Sequence, residues 1–166
     1  NRSNIYRARL LDGQYSKIVG ISWKSNSPQY TRSSIPLESI ISAINSSNIC
    51  FVNLQYGDVS DEITNINLKL GVQIHQIDEV DNFYDIDGLA ALINACDEVV
   101  TIENITSFLA PSLGITTNVL LTTACHWPFG SCETDSYWFP SLKNFRQSEF
   151  GEWNKPLSKL KEELLK

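Results

Sequence analysis

Two short stretches of this sequence carry side chains suited to holding an anion. The first is Ser22-Trp23-Lys24-Ser25-Asn26-Ser27, with Arg32, Ser33 and Ser34 soon after; the second is Glu103-Asn104-Ile105-Thr106-Ser107. Hydroxyls, an amide and two cations are the groups a diphosphate calls for, because they supply directed donors and balancing charge. Lys24 and Arg32 also fit a simpler description, as solvated loop cations. Each stretch follows a short β-rich run, Lys17–Trp23 or Glu98–Ile102, and precedes residues with apolar helical spacing. A loop so placed lies at the carboxyl end of a strand and the amino end of a helix. Open α/β sheets bind anions there, where backbone N–H groups and the helix dipole converge.

The elements that must position these loops follow from periodicity. Further strands are expected at Cys50–Leu54, Val72–Ile77 and Asn118–Thr122. Pro36 opens a helix with Leu37, Ile40, Ile41 and Ile44 on one face; a second covers 60–70 and stops at Gly71. A third starts at Asp87, which reads most economically as its N-cap, and a fourth runs from the Glu103–Ser107 turn to Gly114. Strands and helices thus alternate, which predicts an α/β fold with a Rossmann-like, doubly wound parallel sheet. Right-handed crossovers place a crevice at the carboxyl ends of the first and fourth strands. Residues 1–16 are polar and read as a linker, and 17–153 as the domain. Residues 123–151 form a long irregular stretch rich in aromatics, and 154–166 a C-terminal helix with Leu157, Leu160 and Leu164 in a stripe.

Bulk properties narrow the function class. A chain of 166 residues with 42% apolar content can bury one sizeable core. Its net charge of −6 argues against a nucleic-acid or anionic-membrane partner. No apolar run approaches the roughly 18–20 residues of a membrane span. Cys50 and Cys96 edge apolar segments, and Cys125 and Cys132 flank His126 at a spacing too wide for a structural zinc site. Free thiols in a cytoplasmic protein, with no metal, are therefore expected. The absence of Met suggests a piece of a longer protein.

The motifs also carry a resemblance. GISWKS followed by RSSIPL, then FVNLQYGD, DIDGLAALINACDEVVTIEN, YWFPSLKNFRQ and GEW occur in that order from about Lys17 to Trp153. This series resembles the glycosyltransferase domain of bacterial tetratricopeptide-repeat proteins, the nucleotide-sugar-binding half of a GT-B architecture. The resemblance implies transfer of a sugar from a nucleotide-diphosphate donor to a protein or glycan hydroxyl, with the nucleotide sugar as substrate and no cofactor. By the same resemblance, the missing amino-terminal half and tetratricopeptide repeats of the same chain would be the partners. By resemblance, the donor-binding set is Ser22, Trp23, Lys24, Arg32, Gln55, Asp87, Asn104, Thr106, Ser107 and Phe108. Trp23 and Lys24 would line the crevice and Gln55 would approach the nucleotide, although Gln55 also fits as an ordinary polar residue ending a strand. Asn104, Thr106 and Ser107 would cradle the diphosphate.

Two residues depart from the pattern. Phe108 stands where the family usually has histidine, and Pro111 where it has glycine. Proline lacks an N–H and crowds the carbonyl of Ser107, so the helix is expected to kink or begin later. The alternative is therefore a catalytically inactive, glycosyltransferase-like binding or scaffold module. No catalytic base is evident; His75 and His126 read as structural or surface residues.

Overall fold

The computed structural model describes residues 1–11, 13–25, 33–130 and 134–166. Six strands, β1 (Lys17–Ser22), β2 (Ile49–Asn53), β3 (Ile74–His75), β4 (Glu98–Ile102), β5 (Thr116–Leu121) and β6 (Leu142–Arg146), form one parallel sheet. Their order is β3-β2-β1-β4-β5-β6. The chain winds outward from β1 in one direction, then returns to continue from β4 in the other. The order therefore reverses between β1 and β4, paired from Val19↔Glu98 to Ser22↔Thr101. The doubly wound α/β fold expected from the alternation is the fold observed.

Among the described residues, six α-helices cover the sheet: α1 (Arg2–Leu10), α2 (Leu37–Ile44), α3 (Ser60–Leu70), α4 (Ile86–Ile93), α5 (Thr106–Ser112) and α6 (Asn154–Leu164). Side chains alternate across a strand, so each central strand supplies two cores. Val19, Ile21, Phe51, Val100 and Ile102 face α2, α3 and α6. Ile18, Cys50, Val52 and Val99 face α1, α4 and Ala110 of α5. In mid-β1, Gly20 makes room for this packing. A Cβ there would lie 2.4 Å from Leu54 Cδ1 and 3.0 Å from Cys96 Sγ. Cys50 and Cys96 are buried free thiols, and burial pushes the Cys96 thiol well up from its ordinary value.

Several elements differ from the sequence reading. Residues 2–10 form a helix where the polar sequence suggested a linker. Tyr6 and Leu10 bury themselves among Leu89 and Leu92 of α4, and the arginines find distant carboxylates. Arg7 bonds Asp97 at 2.7 Å and the Ala95 carbonyl at 2.9 Å; Arg2 reaches Asp85 at 3.1 Å, and Arg9 pairs with Glu79. The N-cap of α4 is Asp85, not Asp87: its carboxylate accepts from Gly88 N at 2.8 Å. Asp87 sits exposed in the first turn. Strand β3 is only two residues long because it pairs with β2 at Phe51↔Ile74 and Val52↔His75 alone.

Strand β6 was hidden inside the stretch taken as irregular. Its polar Lys143, Asn144 and Arg146 mask the alternation, and backbone pairing with β5 defines it. Helix α5 neither starts late nor loses its first turn. It starts at Thr106 and ends at Ser112, one residue past Pro111, so the proline falls in the last turn. Leu113 N bonds Leu109 and Ala110 carbonyls, and Gly114, at φ 79°, closes the turn. The Leu157, Leu160 and Leu164 stripe packs on its own domain, in the core beside α2.

Candidate functional site

At the carboxyl edge of the sheet, the loops after β1 and β4 meet. Asn104 Nδ2 donates to Ser22 Oγ at 2.7 Å, joining them directly across the point where strand order reverses. Beside this contact lies a cavity of about 430 Å³ lined by ten residues. Ser25, Glu103 and Asn104 come from the two loops, Tyr56 from the loop after β2, and Ile105 and Phe108 from the start of α5. Asn82, Phe83 and Ile86 rise from the segment leading into α4, and His126 from the loop after β5. A second, larger hollow of about 740 Å³ adjoins it, sharing Tyr56, Asn82 and Phe83. Its wall holds Asp58, Asp78 and Asp81 and no lysine or arginine among the described residues.

The β1 loop is held from below by one amide. Gln55 Oε1 accepts from Trp23 N and Lys24 N, both at 2.9 Å, and from Ser22 Oγ at 3.2 Å. Gln55 is itself fixed by its own N–H donating to Asn53 Oδ1 at 2.8 Å. One buried side chain therefore sets the direction in which the β1 loop leaves the sheet. Trp23 is buried in the core, its indole N–H donating to Glu62 Oε1 at 3.0 Å. Lys24 pairs with the other oxygen of Glu62 at 2.8 Å. Neither Trp23 nor Lys24 belongs to the cavity wall.

The β4 loop is closed on itself. Asn104 Oδ1 accepts from Thr106 N and Thr101 Oγ1, both at 3.0 Å. Ser107 Oγ donates to the Asn104 carbonyl at 2.6 Å, and Thr106 and Ser107 are buried. The amides of Ser107, Phe108 and Leu109 donate to the carbonyls of Asn104 and Ile105. Of the sequence-derived set, Asn104 and Phe108 line the cavity, Phe108 stacking against Phe129 at 5.3 Å between centroids. Ser22 accepts from Asn104 of that wall, and Gln55 lines the larger adjoining hollow. Asp87 lies away from it, and Arg32 lies outside the described residues, as does Cys132.

Sequence reasoning passed over His126. Its backbone N–H donates to Glu103 Oε1 at 2.6 Å, and its Nδ1 pairs with the same oxygen. Glu103 is nearly covered, with 4% of its side chain exposed against 44% for His126. A histidine in a loop too distant in sequence to share an element with Glu103 offered no periodic signal; the parallel pairing of β4 with β5 brings the two ends together. Nearby, Arg146 Nη1 donates to Cys125 Sγ at 2.7 Å and Nη2 to the Gly130 carbonyl at 2.7 Å, which secures the loop carrying His126. No group of three or more His, Cys, Asp or Glu able to hold a metal occurs among the described residues.

Comparison with known proteins adds one likeness. The chain is 34% identical over 145 residues to protein FlbA of Caulobacter vibrioides, an alignment covering 86% of this chain and 24% of that protein. The chain thus spans about a quarter of the length of that relative. No family model matches the chain, and no solved structure matches it. No helix among the described residues is long and apolar enough to cross a membrane.

Proposed function

We infer that this domain is the donor-binding half of a two-domain GT-B glycosyltransferase, taking a nucleotide-diphosphate sugar and passing the sugar to a protein or glycan hydroxyl. The observation that carries this reading is the 430 Å³ cavity at the reversal between β1 and β4, walled by both loops. Nucleotides bind at such reversals in open α/β sheets, since the loops on either side diverge and leave a crevice. The ordered motifs from Lys17 to Trp153 add a second, independent support. The amino-terminal half of the cleft, and any tetratricopeptide repeats, belong to the longer protein. Its location in this reading is the cytoplasm, which agrees with free thiols at Cys50, Cys96 and Cys125.

One set of observations favours the second reading, a module that has lost transfer activity. The amides at the start of α5 are spent within the β4 loop, Lys24 is paired with Glu62, and Glu103 brings a carboxylate into the wall. Calorimetric titration with a panel of nucleoside diphosphates and their sugars separates the two. Binding by one base family supports the donor site. No binding by any member removes it and leaves the scaffold.

A further inference from the structure

We propose that the hollow of about 740 Å³ beside the crevice is a carbohydrate site, taking a neutral glycan through its vicinal hydroxyls. Glycan binding there does not depend on a nucleotide. Its identification as the acceptor, a glycan rather than a protein hydroxyl, rests on the donor-site reading above.

Two amides give this wall both senses of hydrogen bonding. Asn82 Nδ2 donates to the carbonyls of Asn53 and Gln55, at 3.3 and 3.2 Å. Two acceptors at one end fix which end of the amide is nitrogen, and its Oδ1 is left buried without a partner. A buried acceptor lacking a donor is costly, and a ligand hydroxyl supplies what is missing. Asn53, itself buried, works in the opposite sense. Its Oδ1 takes Gln55 N at 2.8 Å, while Nδ2 makes one long contact with Gln76 Oε1, at 3.4 Å, and carries a second N–H. Gln76, Asp58 and Asp78 continue the wall. A hydroxyl both donates and accepts, so it uses the amide N–H groups and the oxygens together, whereas an ammonium would use the oxygens alone. Among the described residues the carboxylates do not gather into a group able to hold a metal.

The same hollow offers a ring face. Tyr56 and Phe83 line it with their rings 5.7 Å apart and tilted by 51°. Phe83 is 56% exposed, yet its turn is fixed: Asp81 Oδ1 accepts from Phe83 N at 2.8 Å and from Tyr84 N at 3.0 Å. An aromatic face is partly negative and attracts the weakly positive C–H face of a pyranose, while planar polar groups take the hydroxyls at its edge. Tyr56, Asn82 and Phe83 also line the smaller cavity, so a glycan in one space lies beside a ligand in the other.

The test follows the side-chain amide ¹H–¹⁵N signals of Asn53 and Asn82 while the chain is titrated with sugars. The panel is the methyl glycosides of glucose, galactose, mannose, N-acetylglucosamine and rhamnose, then oligosaccharides of the same sugars, with butylammonium chloride as a cationic control. The expected result is that at least one sugar series shifts both amides. Gln76 and Asp78 line the larger hollow and not the smaller. The double variant Gln76→Ala, Asp78→Ala should therefore weaken that sugar about tenfold, through two lost hydrogen bonds, and leave nucleoside diphosphate affinity unchanged. Shifts caused by the ammonium alone overturn the proposal and assign the hollow to a cation. No shift from any sugar overturns it too, whatever the diphosphate titration returns for the donor site. Sugar affinity undiminished in the double variant overturns the placement. Should that variant not fold, the unaltered chain decides: sugar-induced shifts of both amides support the site, and their absence overturns it. A chain that binds sugar but no diphosphate keeps the carbohydrate site and loses the donor reading.

Discussion

Gln55 and Gly88 show how single residues hold this crevice in shape. Gln55 Oε1 is the acceptor for two backbone N–H groups and the Ser22 hydroxyl. Gln55→Leu keeps the volume but strands those donors, so a loss of about 2–4 kcal/mol in urea unfolding is expected. Gly88 behaves against the usual rule that alanine improves a helix interior. A Cβ at Gly88 would fall 2.2 Å from Asp85 Oδ2, displacing the carboxylate that caps α4. Gly88→Ala should therefore lower the melting temperature, and Asp85→Asn, which keeps the capping oxygen, should lower it less. Equal or higher melting of Gly88→Ala would show that the cap carries no weight.

At the level of elements, α6 is the piece whose attachment can be tested. Leu160 is fully buried in the core beneath it. Leu160→Ala should cost about 2–5 kcal/mol, the sum of lost transfer energy and an unfilled cavity. The last turn is also fastened by charge, because Glu163 pairs with Lys143 of β6 and with Lys166 at 2.6 Å. These partners hold the Glu163 carboxyl down to about 2, from an ordinary 4.5. A depressed carboxyl stabilises the fold above its unfolded value, and that contribution is lost as pH falls through the folded value. Stability should thus decline between about pH 4.5 and 2, and Glu163→Gln should flatten that part of the profile. The effect will be small and salt-sensitive, since the pair lies near the surface.

For the whole molecule, the proposed donor-half reading puts the base for the acceptor hydroxyl on the other half of the cleft. Isolated, this chain should transfer no sugar to peptide or glycan acceptors even where it binds the nucleotide. Turnover with this chain alone, followed by release of nucleoside diphosphate, would overturn the proposed division of roles. Exposed Phe83, Tyr84, Ile105, Trp127 and Trp138 include residues from this rim and from the loop after β5.

Local pattern by itself determined the central strands and most of the helices. The largely apolar runs of β1, β2 and β4 are almost wholly buried, and such runs, separated by helical periodicity, admit few arrangements besides a doubly wound sheet. The Leu157, Leu160, Leu164 stripe was legible for the same reason. Elements stabilised by distant partners were not. Helix α1 depends on Asp85, Asp97 and the α4 face, and β6 on pairing with β5. The candidate site divides in the same way. Spacing marked both loops, but not that Trp23 turns into the core, that Gln55 is consumed by backbone, or that α5 amides bond their own loop. Nor could it bring His126 to Glu103, because that contact exists only once β4 and β5 lie side by side and end at one edge. A sequence records which groups are available near one another along the chain; the sheet decides which of them share a cavity.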